Sequence, residues 1–200
     1  MDHPLRCTCG KVRGHVKAGA KTNRGVCYCK DCRAFARYFG PSAGILDAHG
    51  GTHVVQTVQA NVAITQGRDE LACLRLTERG LLRWYAQCCS SPIGNTPADW
   101  RLSLVGLVQT CLERADGPSV DESFGPVRMV AYTESALGAM KPRSRGLVRG
   151  IARVVAMLLR ARLDGSYRRT PFFSADDGTP IAAPRVLSAA EREALRDDPA

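Results

Sequence analysis

Seven of the nine cysteines in this 200-residue chain fall into three tight groups, and no other feature restricts the fold so strongly. Cys7-Thr8-Cys9-Gly10 is a Cys-x-Cys turn, and Cys27-Tyr28-Cys29-Lys30-Asp31-Cys32 fuses Cys-x-Cys with Cys-x-x-Cys. Cys88-Cys89 stands far down the chain. Two thiolates a few positions apart on a tight turn can grip one zinc ion at about 2.3 Å, and a distant pair completes the tetrahedron. Seven such ligands close one four-thiolate site and leave three for a second ion, which then has an open position; closed sites are structural and open ones catalytic. Two Zn2+ ions are therefore expected. Cys73 and Cys111 lie in apolar strand contexts and read as core thiols.

The compartment supports metal over disulfides. No run of about 18 uncharged apolar residues exists, and the start, MDHPLRCTCG, has no apolar stretch behind its charges, so neither a membrane span nor a secretory signal is expected. The chain reads as soluble and cytoplasmic, where thiols stay reduced and a cysteine cluster points to metal or catalysis. At 44% apolar and 24% charged residues it is an ordinary globular sequence rather than a disordered one.

Short alternating or apolar runs recur at strand length: 5–9, 12–16, 53–58, 62–65, 71–77, 81–87, 103–112 and 127–133. Turns such as Gly50-Gly51 and Gly67-Arg68-Asp69 separate them, and this is the spacing of an antiparallel all-β domain, placed at residues 1–135. Asp31 to Phe39 is the one short helix in this half, with Asp31 as its cap, and 116–126 reads as loop. Residues 136–200 form a basic amphipathic helix and a Pro-containing tail. In Gly146 to Leu163, Leu147, Ile151, Val154, Val155 and Leu158 share one side while Arg149, Arg153 and Arg160 share another. Ser188 with Glu191 three positions on is a capping signature.

The formal charge of +9 is concentrated in two blocks, +7 over residues 1–40 and +8 over 141–169, with −3 in each of the other two segments. Seven thiolates around two zinc ions contribute −3, so part of the first block balances buried sulfur. The helix in the second block suits packing on the β-domain or an oligomer contact first, then nucleic-acid phosphates, then an anionic membrane surface.

Taken together, Cys7 to Val12 (Cys-x-Cys-Gly-x-Val), Cys27 to Arg33 (Cys-x-Cys-x-x-Cys-Arg), Gly67 to Leu71, and Arg83 to Ile93 (Arg-x-aromatic ending in Cys-x-Ser-Pro-Ile) resemble the glutathione-dependent formaldehyde-activating enzyme family, which includes the centromere protein V-like proteins. The resemblance covers residues 5 to 95 and implies the Mss4-like β-fold, with a C-terminal helical extension added here. It implies a structural zinc at Cys7, Cys9 and Cys89, and a second zinc at Cys27, Cys29 and Cys32 to which the thiol of glutathione can bind. The implied activity is carbon–sulfur lyase-like chemistry on an adduct of glutathione or another small thiol. This chain departs from the family pattern at three places: Ala86 replaces a cysteine, Tyr28 a histidine, and Ser90 the glycine after the last cysteine.

Cys88 has two possible places. On a turn it replaces the missing cysteine and joins Cys7, Cys9 and Cys89; on an extended strand it points away from Cys89 and closes the second site. Arg33 and Arg37 follow that site on one helical face and could pair with substrate carboxylates. The four histidines read as surface or turn residues, and Gly40-Pro41-Ser42-Ala43-Gly44, although it matches a nucleophile elbow, reads as a loop because no strand precedes it. The rival to the enzyme is a non-catalytic zinc scaffold whose basic helix binds nucleic acid or a protein.

Overall fold

Most of the alternating runs become strands, and the computed structural model, which describes residues 1–113 and 117–196, is mainly β with a long C-terminal helix, as expected. A three-stranded antiparallel sheet is built from β1 (His3–Arg6), β2 (Arg13–Val16) and β5 (Val62–Gln66). An eight-stranded sheet contains β3 (Asn23–Cys27), β4 (Thr52–Val58), β6 (Leu71–Arg75), β7 (Leu82–Ala86), β8 (Ser91–Thr96), β9 (Leu104–Val108), β10 (Met129–Ala131) and β11 (Arg185–Val186). Its order is β10-β3-β4-β9-β8-β7-β6-β11. The two edges, β10 on β3 and β11 on β6, are parallel rather than antiparallel. Each is a short segment returning from far down the chain, which only a long connection permits.

The main core lies between the sheets: Leu5, Val16 and Val62 from the small sheet, with Val12 just ahead of β2, meet Val55, Trp84, Ile93 and Leu107 from the large one. On the other face of the large sheet, α1 (Lys30–Tyr38) lays Ala34, Phe35 and Ala36 against Leu74, Leu76 and Val108. Alternation sets this division, since Cys73 and Leu74 are neighbours in β6 yet lie in different cores. Cys73 and Cys111 are buried core thiols, as their context implied.

Two strands of the large sheet escape the hydrophobic pattern. In β3 the polar Asn23 and Arg24 are buried because each has partners: Asn23 donates to Gln56 at 2.8 Å, and Arg24 to Asp121, to the Gly125 carbonyl and to Gln109. β8 carries Pro92 and Gly94. Pro92 is tolerated at the bulge opposite Trp84/Tyr85, and at Gly94 a Cβ would lie 2.8 Å from the Gly106 carbonyl oxygen. A further correction falls in the expected loop after Asp116, itself outside the described residues. There α2 (Val120–Phe124) forms under a capping box of Ser119 and Glu122, burying Val120 and Phe124.

The segment set apart as helix and tail enters the same core. Phe172 and Phe173 are fully buried against Trp84, with ring centroids 5.2 and 6.1 Å away. α4 (Ala189–Ala194) follows the expected Ser188/Glu191 capping box. The intervening α3 (Leu147–Leu163) spans the expected helix but turns a different face inward: Gly150, Met157 and Ala161 are buried, whereas Leu147, Ile151 and Val155 are exposed. Close approach decides this, because a Cβ at Gly150 would lie 2.7 Å from the Met129 sulfur, and larger side chains do not fit there. No helix among the described residues is long and apolar enough to cross a membrane.

Candidate metal centres

The first cluster sits where the two sheets meet at their turns. Cys7 and Cys9 lie in the β1–β2 connection, which Gly10 bends through a left-handed conformation (φ 78°) with its N–H donating to the Cys7 carbonyl. Cys88 and Cys89 lie in the β7–β8 turn, 79 residues beyond Cys9 for the nearer of the two. The turn relaxes strand alternation, so both neighbours face the same point, and Cys88 joins Cys7, Cys9 and Cys89 rather than the other cluster. Sulfur separations are 3.5 Å for Cys7–Cys9, 3.9 Å for Cys7–Cys88, 3.4 Å for Cys9–Cys88 and 3.8 Å for Cys88–Cys89. A tetrahedral ion with metal–sulfur bonds of about 2.3 Å, the zinc value, requires about 3.8 Å between sulfurs. The four residues fit a metal ion, and all are free thiols rather than disulfides.

Main-chain and hydroxyl donors support the cluster. The Val12 N–H donates to Cys7 Sγ at 3.3 Å, and Ser91 Oγ lies 3.1 Å from Cys89 Sγ while accepting from the Thr8 N–H at 3.0 Å. Burial alone would raise the Cys89 thiol, but hydrogen bonds from Ser91 and Thr8 bring it down to about 5, a thiolate at neutral pH; burial pushes Cys7 and Cys88 up. Ser90, between Cys89 and β8, holds φ 54°, the left-handed region that costs an L-residue about 1 kcal/mol or more. Ser90→Gly is therefore expected to raise stability by about 0.5–1 kcal/mol in urea unfolding with metal content unchanged. A loss of stability would place the Ser90 side chain in an essential contact instead.

The second cluster is local: Cys27 ends β3, Cys29 caps α1, and Cys32 lies in its first turn. Their sulfurs fall within 4.8 Å of one another. The N-cap is Cys29, whose Sγ accepts from the Cys32 N–H at 3.4 Å, and not Asp31, which lies 3.5 Å from Arg196 in an ion pair. Helix N-termini favour anionic sulfur. Hydrogen bonds from the Cys27 and Cys32 thiols hold Cys29 down at about 2, with the Arg83 guanidinium adding to the effect. Cys27 is pushed up by its contacts with Cys29 and Cys32 and by burial. For Cys32 the contact with Cys27 pulls down, but Cys29 and burial carry it to about 11. Ionisation is favoured at Cys29 and disfavoured at Cys27 and Cys32, because three thiolates crowd one another without a cation. Loading this cluster with Zn2+ at pH 7 is thus expected to release about two protons, measured calorimetrically in buffers of different ionisation enthalpy. A release near zero would contradict the arrangement.

Arg83 is the cation that sequence reasoning did not place here. It is buried on β7, stacked 5.2 Å from the Phe35 ring and bonded to Asn95, and its field favours thiolate at both Cys29 and Cys32. Its position in a buried alternating strand was the available signal. Arg33 and Arg37 are committed elsewhere: Arg33, buried, donates to the Ser135 carbonyl at 2.8 Å, and Arg37 to the carbonyls of Leu195 and Arg196 at 3.2 Å. No histidine joins either cluster among the described residues. His3 is buried rather than superficial, held between Ser123 Oγ (2.7 Å) and the Leu112 carbonyl (2.8 Å), and His53 lies 3.5 Å from Asp47. Pro41–Ala43 forms a 3-10 turn with no preceding strand, so the elbow-like motif is a loop.

A mainly β chain that gathers seven of its cysteines into one four-thiol and one three-thiol cluster belongs, as a class, with proteins able to hold metal on sulfur alone. It belongs to the family described as a family of unknown function (DUF6151), which it matches over residues 2–183. It is also similar to a Rhodobacter sphaeroides protein solved by crystallography, at 18% identity over 56% of this chain and 90% of that one, with a TM-score of 0.38. No curated protein matches it.

Proposed function

We propose that this protein binds two zinc ions, a structural one at Cys7, Cys9, Cys88 and Cys89 and an open one at Cys27, Cys29 and Cys32, and that the open site acts on a glutathione or other small-thiol adduct in carbon–sulfur lyase-like chemistry. The observation that carries this reading is the three-sulfur cluster at a helix N-terminus, with no fourth metal-ligating side chain among the described residues. When bound there, zinc would supply a Lewis-acid position not filled by the protein. The residues do the rest. Cys29 presents an ionised sulfur, Arg83 offsets the charge of the cluster, and α1 directs its positive end at the same point. In the forward sense a thiolate sulfur adds to an aldehyde carbon, the carbonyl electron pair moves to oxygen, and that oxygen takes a proton; the reverse expels the thiol. Arg33 and Arg37 are weaker anchors for the thiol's carboxylates than their spacing implied, because their donors already serve main-chain carbonyls.

The test is a titration of the cobalt-substituted protein with glutathione. A change in the sulfur-to-metal absorption bands that disappears in Cys29→Ser is the expected result. Bands unmoved by glutathione and by other small thiols would remove the proposal.

A second reading has its own observation. α3 leaves Val148, Ile151, Val155, Leu159 and Leu163 exposed beside Arg149, Arg153 and Arg160, a surface suited to a second copy of the chain or to nucleic acid on a zinc scaffold. Binding to DNA or RNA that weakens steeply with salt, or a dimer lost in Ile151→Gln, would favour that reading.

A further inference from the structure

At the far end of α3 from its packing glycine, a cavity of about 320 Å3 opens between the 17–21 turn, the end of β4 and the last turns of α3. Its floor is apolar, made of Val58, Ala60, Met157 and Ala161, and its rim carries Lys17, Lys21, Arg160 and Arg169. Among the described residues none of these four cations makes an ion pair within 4 Å or a side-chain hydrogen bond, although the charges of Arg160 and Arg169 both act on Asp164. The one carboxylate on the wall is Asp164, which accepts from the Ser166 N–H at 2.9 Å. Asp2 accepts from the N–H of Ala18, a residue that also lines the cavity, and lies 3.2 Å from His15. Four like charges around one concavity repel one another, and low-dielectric walls focus their field into the opening. An anion removes that repulsion. Lys17, Ala60 and Arg169 also line a second, larger hollow of about 920 Å3, which includes Val62, Ile64, Phe173 and Ile181 and carries charges of both signs, Arg68 against Asp69 and Asp176.

From this arrangement we infer that the protein has a binding site, separate from the cysteine clusters, for a phosphate ester: the phosphate sits among Lys17, Lys21, Arg160 and Arg169, and its organic part lies over the apolar second hollow. The phosphate is favoured over a lone carboxylate because four cations against one acid call for more than a single negative charge. Two lysines act as point charges while the arginines fork onto separate oxygens. The volumes match a small organic phosphate, and a lipid headgroup would present the same chemistry.

The test titrates the zinc-loaded full chain with phenyl phosphate and with inorganic phosphate, by calorimetry or by amide shifts. Saturable binding of phenyl phosphate, about tenfold tighter than inorganic phosphate and weakened at least about tenfold in Lys17→Gln/Arg160→Gln, is the expected result. Arg149→Gln/Arg153→Gln changes two arginines of the same helix that do not line the cavity, and is expected to leave the affinity unchanged. Vesicles of phosphatidylcholine with phosphatidic acid separate the sources. Vesicle binding that phenyl phosphate displaces assigns the site to a headgroup and still supports it; no vesicle binding assigns it to a soluble ester. An equal loss in both arginine variants would show a diffuse basic surface of the nucleic-acid type and overturn the site, as would no binding of phenyl phosphate at about 10 mM.

Discussion

After Zn2+ loading, a Cys88→Ser variant is expected to hold one metal ion fewer than the unaltered protein, and to lose at least about 3 kcal/mol of stability. The size of the effect follows from what the first cluster joins. Cys7 and Cys9 lie in a turn of the small sheet and Cys88 and Cys89 in a turn of the large one, with Cys88 79 positions beyond Cys9. Cross-linking a loop of that length is worth about 4–5 kcal/mol in chain entropy alone. Loss should therefore appear first as faster amide exchange in β1, β2 and β5, which carry few strands of their own. Cys29→Ser is expected to behave differently, removing the other ion with a smaller loss of stability, because its three ligands span six residues and close only a local loop. Metal analysis with urea unfolding decides the matter. A Cys88→Ser protein that keeps both ions and unfolds at the same denaturant concentration would exclude the four-sulfur site.

Phe172→Ala is expected to cost about 3–5 kcal/mol and to lower Tm by on the order of 10 °C. The ring is fully buried and tilted against Trp84, the largest side chain in the core, so its removal leaves a cavity that the surrounding strands cannot close. A loss below about 1 kcal/mol would mean that the C-terminal segment merely covers the β-domain. The expected loss makes it part of one cooperative unit, and a chain truncated ahead of Gly165 should fail to fold cooperatively.

Much of the candidate site could be read before any coordinates. Cys27, Cys29 and Cys32 are so close in sequence that any turn at the end of β3 brings their sulfurs together, and Cys7 and Cys9 are fixed in the same way by the turn at Gly10. The strand pattern marked Arg83 as buried but not what it faces. Its importance comes from facing Leu74 across β6 and β7, on the sheet face that α1 covers, and that pairing involves no local pattern. Strands β3 and β8 were hidden for a related reason: Asn23, Arg24 and Pro92 oppose the hydrophobic rule, and only partners from Gln56, Gln109 and Asp121 and a bulge at Trp84/Tyr85 make their burial affordable.

The sequence by itself determined the local matters: a β-rich chain, thiols grouped for metal, core cysteines at 73 and 111, and the capped helix after Ser188. These rest on spacings of a few residues, where backbone geometry leaves few choices. The tertiary structure alone decided which groups combine. It turned Cys88 toward Cys7, drew Phe172 and Phe173 into the core, and set α3 on its Gly150 and Ala161 face rather than its Ile151 face. Each of these depends on contacts between segments far apart in the chain, where steric fit between packed surfaces, and not the periodicity of either one, selects the outcome.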